Sequence, residues 1–244
     1  MITLPALLFV ITLLFGLAGL AGGSAAHKGH SSSAAGRSAY AFPLAPPGSY
    51  RLPPIKPAAG GFVLDESGSG HDLADLLRAH TTLLAFIYTR CGDICPTATL
   101  DMSRLQDLAG KDRHLAGRMR LITMSFDPEH DTPKIMREHA AQWRSADPAA
   151  PGWLFLTTPD GETLAPVLAA YNQTVARNRD ATSAGGPLNH IFRAFLVDRQ
   201  GLIRNVYSLD FFDPELVLND LRTVLLEYES PLRERVDEHG RGSE

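Results

Sequence analysis

The sequence is poor in cysteine: two in 244 residues. Two are too few to staple a disulfide-built scaffold, and they exclude a four-cysteine zinc or iron–sulfur cluster. The core must therefore come from packing, for which an apolar fraction of 44% suffices, and the pair is free for chemistry. Positive charge is also short. Lys and Arg number 23 against 27 Asp and Glu, giving a net charge of −4. No basic stripe with interleaved aromatics occurs, which argues against nucleic acid as a partner. Charge of either sign is missing from the first residues, MITLPALLFVITLLFGLAGLAGG. With the small residues that follow, residues 1–26 read equally as an export signal cleaved after Ala25 or Ala26, or as a retained membrane anchor. No Lys or Arg precedes the run to set its orientation. Either way the rest of the chain is expected to be exported: periplasmic, or anchored and facing the extracytoplasmic side. A thiol pair in that oxidising space must be kept reduced by a partner or exist partly as a disulfide.

Residues 27–59 are rich in Ser, Ala, Gly and Pro, a composition that buries no core and reads as a tether. Residues 229–244 are charged and read as a flexible tail. Between these ends the pattern alternates. FVLD is a short strand, and LLAFIY (Leu83–Tyr88) a continuous apolar run expected to be buried on both faces. Pro96 is expected at the first position of a helix, with Cys95 as its N-cap and Ala98, Met102, Leu105 and Ala109 on its inner stripe. RLITMSF (Arg120–Phe126) and WLFLTT (Trp153–Thr158) are further strands. Thr132 and Pro133 open a helix, and Leu164, Val167, Leu168 and Tyr171 mark another with Pro166 in its first turn. A long polar stretch runs from Asn172 to Asn189. HIFRAFLVD, DRQG and LIRNVYS then read as a hairpin, and Asp213 and Pro214 cap a last helix. The order β-α-β-α-β-α-β-β-α, with a dithiol at the end of the first core strand, points to an α/β thioredoxin-like domain over residues 60–228. Its central mixed β-sheet would be flanked by α-helices.

Both cysteines lie in YTRCGDICPT, four residues apart. A helix N-terminus presents unpaired N–H groups and partial positive charge, which favour a thiolate. The pair therefore reads as a reactive dithiol. So short a closed loop would constrain the unfolded chain little, which argues against a purely structural disulfide. If the dithiol is redox-active, Cys91 and Cys95 are the catalytic residues. Two thiolates are also a soft metal site. Structural zinc wants four protein ligands, and no Cys/His pair at finger spacing exists. Cu(I) accepts two or three soft ligands and needs one more residue, a histidine for choice. Of nine histidines, eight sit in polar or tether segments or on helix stripes and read as solvated or packed. His190 ends the long polar loop, in a position a functional loop could swing toward the cysteines. On spacing alone it reads as a strand-edge histidine.

Four features together resemble the SCO/SenC family of copper-handling proteins. They are CGDICPT, the acidic loop SFDPEHDTP (Ser125–Pro133), HIFRAFLVDRQG (His190–Gly201), and the order hydrophobic segment, tether, α/β domain. The resemblance implies a copper site formed by Cys91, Cys95 and His190. It also implies a metallochaperone that delivers copper to the dinuclear copper centre of cytochrome c oxidase. Cu(I) is favoured, and the imidazole also admits Cu(II). Implied partners are the oxidase copper subunit or another copper protein, and a copper donor chaperone or thiol reductant. Asp93 and Asp127 match acidic family positions. The chain departs from the family pattern at Gly92, often proline, at Asn189, often acidic, and in the polar insertion ARNRDATSAGGP. A thiol–disulfide oxidoreductase acting on a client's cysteines is the alternative. A peroxidase of the peroxiredoxin type is disfavoured by Tyr88 and Gly92, where that group carries other residues.

Overall fold

The computed structural model describes residues 43–78, 80–179 and 185–240, with side chains as far as 229. Residues 1–26, read above as signal or anchor, and the first part of the tether, with His27 and His30, lie outside the described residues. Among the described residues no helix is long and apolar enough to cross a membrane. In chain order the elements are β1 (Lys56–Pro57), β2 (Phe62–Asp65), β3 (Gly70–Asp72), α1 (Leu73–Leu77), β4 (Thr81–Ile87), α2 (Ile94–Gly110), β5 (Met119–Ser125) and α3 (Pro133–Trp143). There follow β6 (Gly152–Thr157), α4 (Gly161–Ala170), β7 (Ala176–Arg177), β8 (Leu188–Asn189), β9 (Ala194–Val197), β10 (Leu202–Tyr207) and α5 (Pro214–Gly240).

Eight strands form one mixed sheet in the order β1-β10-β9-β4-β5-β6-β2-β3. The β4–β5 and β5–β6 pairs are parallel, and the remaining pairs are antiparallel. Parallel neighbours need crossover helices, and α2 and α3 supply them. β4 is buried at every position, because β5 and β9 flank it while helices cover the sheet. This is the thioredoxin-like α/β arrangement, with the apolar run LLAFIY at its centre. The strand starts two residues earlier than the apolar run: Thr81 and Thr82 are buried strand residues whose hydroxyls disguise them as loop.

The β9–β10 hairpin forms as its turn chemistry demands. The Asp198 carboxylate accepts from the N–H groups of Gln200 and Leu202, and Gly201 takes φ +79°. Asp213 caps α5 by accepting from Glu215 and Leu216 N–H, and Thr132 caps α3 with Pro133 at its first position.

Five expectations differ from the structure. α2 starts at Ile94, so Pro96 is its third residue and Cys95 its second. None of the first four helical N–H groups has a partner within the helix, so proline costs no hydrogen bond there either. α4 starts at Gly161, capped by Asp160, which moves Pro166 into its second turn. β9 opens at Ala194 rather than His190. Pairing with β4 ends at Ala85 opposite Ala194, and residues 190–193 leave the sheet. Finally, residues 44–59 are held on the domain rather than free. Tyr50 donates to Asp220 at 2.6 Å, Gly48 N–H donates to Thr223 Oγ1 at 3.0 Å, and β1 extends the sheet edge along β10. The buried guanidinium of Arg204 also donates to the Leu52 carbonyl. α5 runs through Pro231 to Gly240, into the segment whose composition predicts a tail.

Candidate metal centre

The parallel strands β4 and β5 end side by side, and the chain leaving each builds the site. After β4, Tyr88 to Asp93 form a tight loop into α2. Cys91 N–H donates to the Tyr88 carbonyl at 3.3 Å. Cys95 N–H, in the first turn of α2, donates to Cys91 Sγ at 3.4 Å. The Asp93 amide also bonds that sulfur. The Cys91 sulfur thus occupies the place of an N-capping side chain, and the carboxylate of Asp93 makes no cap bond. This explains why the helix begins before the proline.

After β5, the acidic loop folds back on itself, with Asp131 N–H donating to the Asp127 carbonyl at 2.8 Å. Asp131 is fully buried. Its carboxylate accepts from Thr89 N–H at 3.0 Å, from Ser125 Oγ at 2.5 Å and from the Thr89 hydroxyl, with His130 Nδ1 at 2.9 Å. It therefore ties the start of the cysteine loop to the end of β5. Asp127 accepts from Arg90 Nη2 at 2.6 Å and Nε at 3.1 Å. Arg90 is paired there rather than aimed at the thiols. Asp127, His130 and Asp131 also come within metal-ligand distance of one another, but both Asp131 oxygens and one Asp127 oxygen are already engaged with these partners.

The third contribution comes from far along the chain. β7 and β8 form a two-stranded ribbon, Ala176 opposite Asn189, and residue 190 follows directly from it. His190 is half-buried, with Nε2 3.4 Å from Cys95 Sγ. One ligand atom from each of Cys91, Cys95 and His190 lies within 4.8 Å of the other two. The three residues named from the sequence are thus neighbours in space. Phe126 and Tyr88 wall the imidazole, their ring centroids 4.7 and 5.4 Å from its own. Three other described histidines are placed otherwise: His71 pairs with Asp65, His130 with Asp131, and His139 packs on Trp143 and Phe155.

Both cysteines are free thiols and nearly buried, 5% and 3% exposed, yet their acidities are driven apart. The neighbouring Cys95 thiol, with two backbone amides and His190, holds Cys91 down at about 5, against the cost of burial. Cys95 is pushed up by its closeness to Cys91, by burial and by the charge on Cys91. Burial pushes His190 down, toward the neutral imidazole. These shifts favour one thiolate, one thiol and one neutral imidazole in the site. The ultraviolet thiolate absorbance of the reduced protein should accordingly show one thiol titrating near pH 5 and the second above the ordinary cysteine range. Cys95→Ala removes the strongest support of the Cys91 thiolate, so the lower transition should move up. A lower transition that stays in place would contradict Cys95 as the main support of the Cys91 thiolate.

Phe126 and Gly186 are site residues that sequence reasoning did not single out, and Tyr88 entered it only as the aromatic ahead of the cysteine motif. The available signal was the position of each beside a named motif. Nothing local distinguishes the two aromatics from core residues.

The fold and the site define a thioredoxin-like domain with two thiols and an imidazole gathered at a helix N-terminus. A SCO1/SenC family model matches residues 56–226, and the chain belongs to that family. A SCO2-like protein of Rickettsia prowazekii is 24% identical over 179 residues, covering 67% of this chain and 82% of that one. Among solved structures, Bradyrhizobium japonicum ScoI with copper bound matches at TM-score 0.56 and 26% identity, over 68% of this chain and 98% of that one. Arabidopsis thaliana ScoI with copper bound matches at TM-score 0.60 and 18% identity, over 70% and 99%.

Proposed function

We propose that this protein is a copper metallochaperone that holds one copper ion between Cys91, Cys95 and His190 and delivers it to the dinuclear copper site of cytochrome c oxidase. The observation that carries this reading is the convergence of two sulfurs and one imidazole within 4.8 Å, from segments far apart in sequence. Copper binding displaces the Cys95 proton, which the high acidity threshold of that thiol would otherwise retain. Two thiolates and a neutral imidazole leave Cu(I) with one net negative charge, and the N-terminus of α2 offsets part of it. Three ligands with a half-buried imidazole leave room for a client's sulfur to enter, so copper can pass by stepwise ligand exchange. Membership of the family and a copper-bound relative support the cargo, and a solved relative described as a member of the Sco family of cytochrome c oxidase assembly proteins supports the client. Export to an extracytoplasmic space, by a cleaved signal or on a retained anchor, fits a donor chaperone or thiol reductant as the upstream partner.

His190→Ala should weaken Cu(I) retention in competition with a chromophoric chelator while the two cysteines still form a disulfide on oxidation. An unchanged affinity would remove His190 from the ligand set.

The asymmetry of the two thiols favours a second reading, thiol–disulfide exchange with a client. The Cys91 thiolate would attack one sulfur of the client's disulfide and release the other as a thiolate. Cys95, once deprotonated, would then attack Cys91 and release the reduced client, leaving a Cys91–Cys95 disulfide for an external thiol donor to reduce. Client reduction that survives His190→Ala unchanged separates this activity from copper handling.

A further inference from the structure

The imidazole sits 95 residues beyond Cys95 in sequence, and something must hold it over the sulfurs. We infer that Tyr88 is the positioning residue that does so, an inference that rests on His190 being a copper ligand. Tyr88 is the first residue beyond β4, 1% exposed, and its own carbonyl accepts from Cys91 N–H. Its hydroxyl reaches into the segment before His190. There it lies against the Gly185 carbonyl, 3.2 Å from the Leu188 carbonyl and 3.4 Å from Leu188 N–H. Leu188 opens the short strand β8 that leads straight into His190, so the phenol pins the main chain two residues before the imidazole. Outer partners of this kind orient a ligating imidazole. The path from the cysteine loop to the imidazole therefore runs through one phenol and the main chain of β8.

Gly186 makes the contact close enough to matter. It adopts φ +76°, and a Cβ there would stand 2.6 Å from the Arg90 carbonyl oxygen and 2.7 Å from the Tyr88 hydroxyl. The turn that leads to His190 therefore rests directly on the main chain of the cysteine loop, which only glycine permits. The Tyr88 ring completes the support, edge-on to His190 and tilted against Phe126.

Tyr88→Phe removes the hydroxyl and keeps the ring. Its Cu(I) affinity, measured by chelator competition on the reduced protein, should fall by about 10- to 100-fold, the range typical of lost outer partners of a metal ligand. In the His190→Ala background the same change should have no further effect, because there is no imidazole left to position. Gly186→Ala should act in the same direction as Tyr88→Phe and likewise vanish in that background. A Tyr88→Phe protein that binds as the parent does, while His190→Ala binds more weakly, overturns the inference. So does equal weakening in both backgrounds, which would mark Tyr88 as a support of the cysteine loop alone. An unchanged affinity in His190→Ala itself overturns the ligand set and the inference with it.

Discussion

Replacing either Cys91 or Cys95 by serine is expected to abolish stoichiometric Cu(I) binding, with an affinity loss above the roughly 100-fold that outer-partner changes reach. The reason is chemical softness. A serine hydroxyl is neutral at physiological pH and a hard donor, so Cu(I) would be left with one thiolate and one imidazole. The two variants should differ in their remaining thiol. In Cys95→Ser the hydroxyl can still donate to Cys91, which also keeps the amides of α2, so its pKa should stay below the ordinary thiol value. In Cys91→Ser, Cys95 loses the neighbouring negative charge that helps push it up, and its pKa should fall back toward that value. Chelator competition gives the affinities, and thiolate absorbance against pH gives the acidities. Retained one-to-one binding in either variant would mean that copper is held elsewhere.

The second large effect concerns stability. Asp131→Ala should cost about 2 to 4 kcal/mol, read as a lower midpoint in denaturant with an unchanged slope. The buried carboxylate gathers Thr89 N–H, the Thr89 and Ser125 hydroxyls and His130. Truncation leaves the buried Ser125 hydroxyl and the half-buried Thr89 and His130 donors without this partner. Asp131→Asn keeps the shape and one acceptor oxygen, so its loss should be smaller. Since Thr89 lies two residues before Cys91, both variants should also weaken copper binding. A stable Asp131→Ala protein would show that the two loops hold together without this link.

What was legible in the sequence follows how local each signal is. The buried run Leu83–Tyr88, the Thr132–Pro133 helix start and the Asp213 cap each depend on a few adjacent residues, and the structure has all three. The start of α2 was misplaced because its cap is a sulfur three residues before Ile94, where reading by side-chain type looks for a proline or a hydroxyl. The docked strap at residues 44–59 was invisible for a different reason. Proline-rich composition does describe a chain with no core of its own. Whether it lies on another surface depends on partners such as Asp220 and Thr223, some 170 residues away. His190 shows the same limit. Spacing alone leaves it a strand-edge residue, and family resemblance was needed to single it out before the fold brought it to the cysteines. Tyr88 and Gly186 had no signal of their own, since a tyrosine after a core strand and a glycine in a polar loop are ordinary. Their role lies in a contact across 98 positions of sequence.

The most direct test of the central claim is X-ray absorption at the copper edge on the reduced protein loaded with one equivalent of Cu(I) without oxygen. Copper held by Cys91, Cys95 and His190 should show two sulfur neighbours and one nitrogen, and the nitrogen should disappear in His190→Ala. A site of sulfur alone, identical in the parent and in His190→Ala, would contradict it.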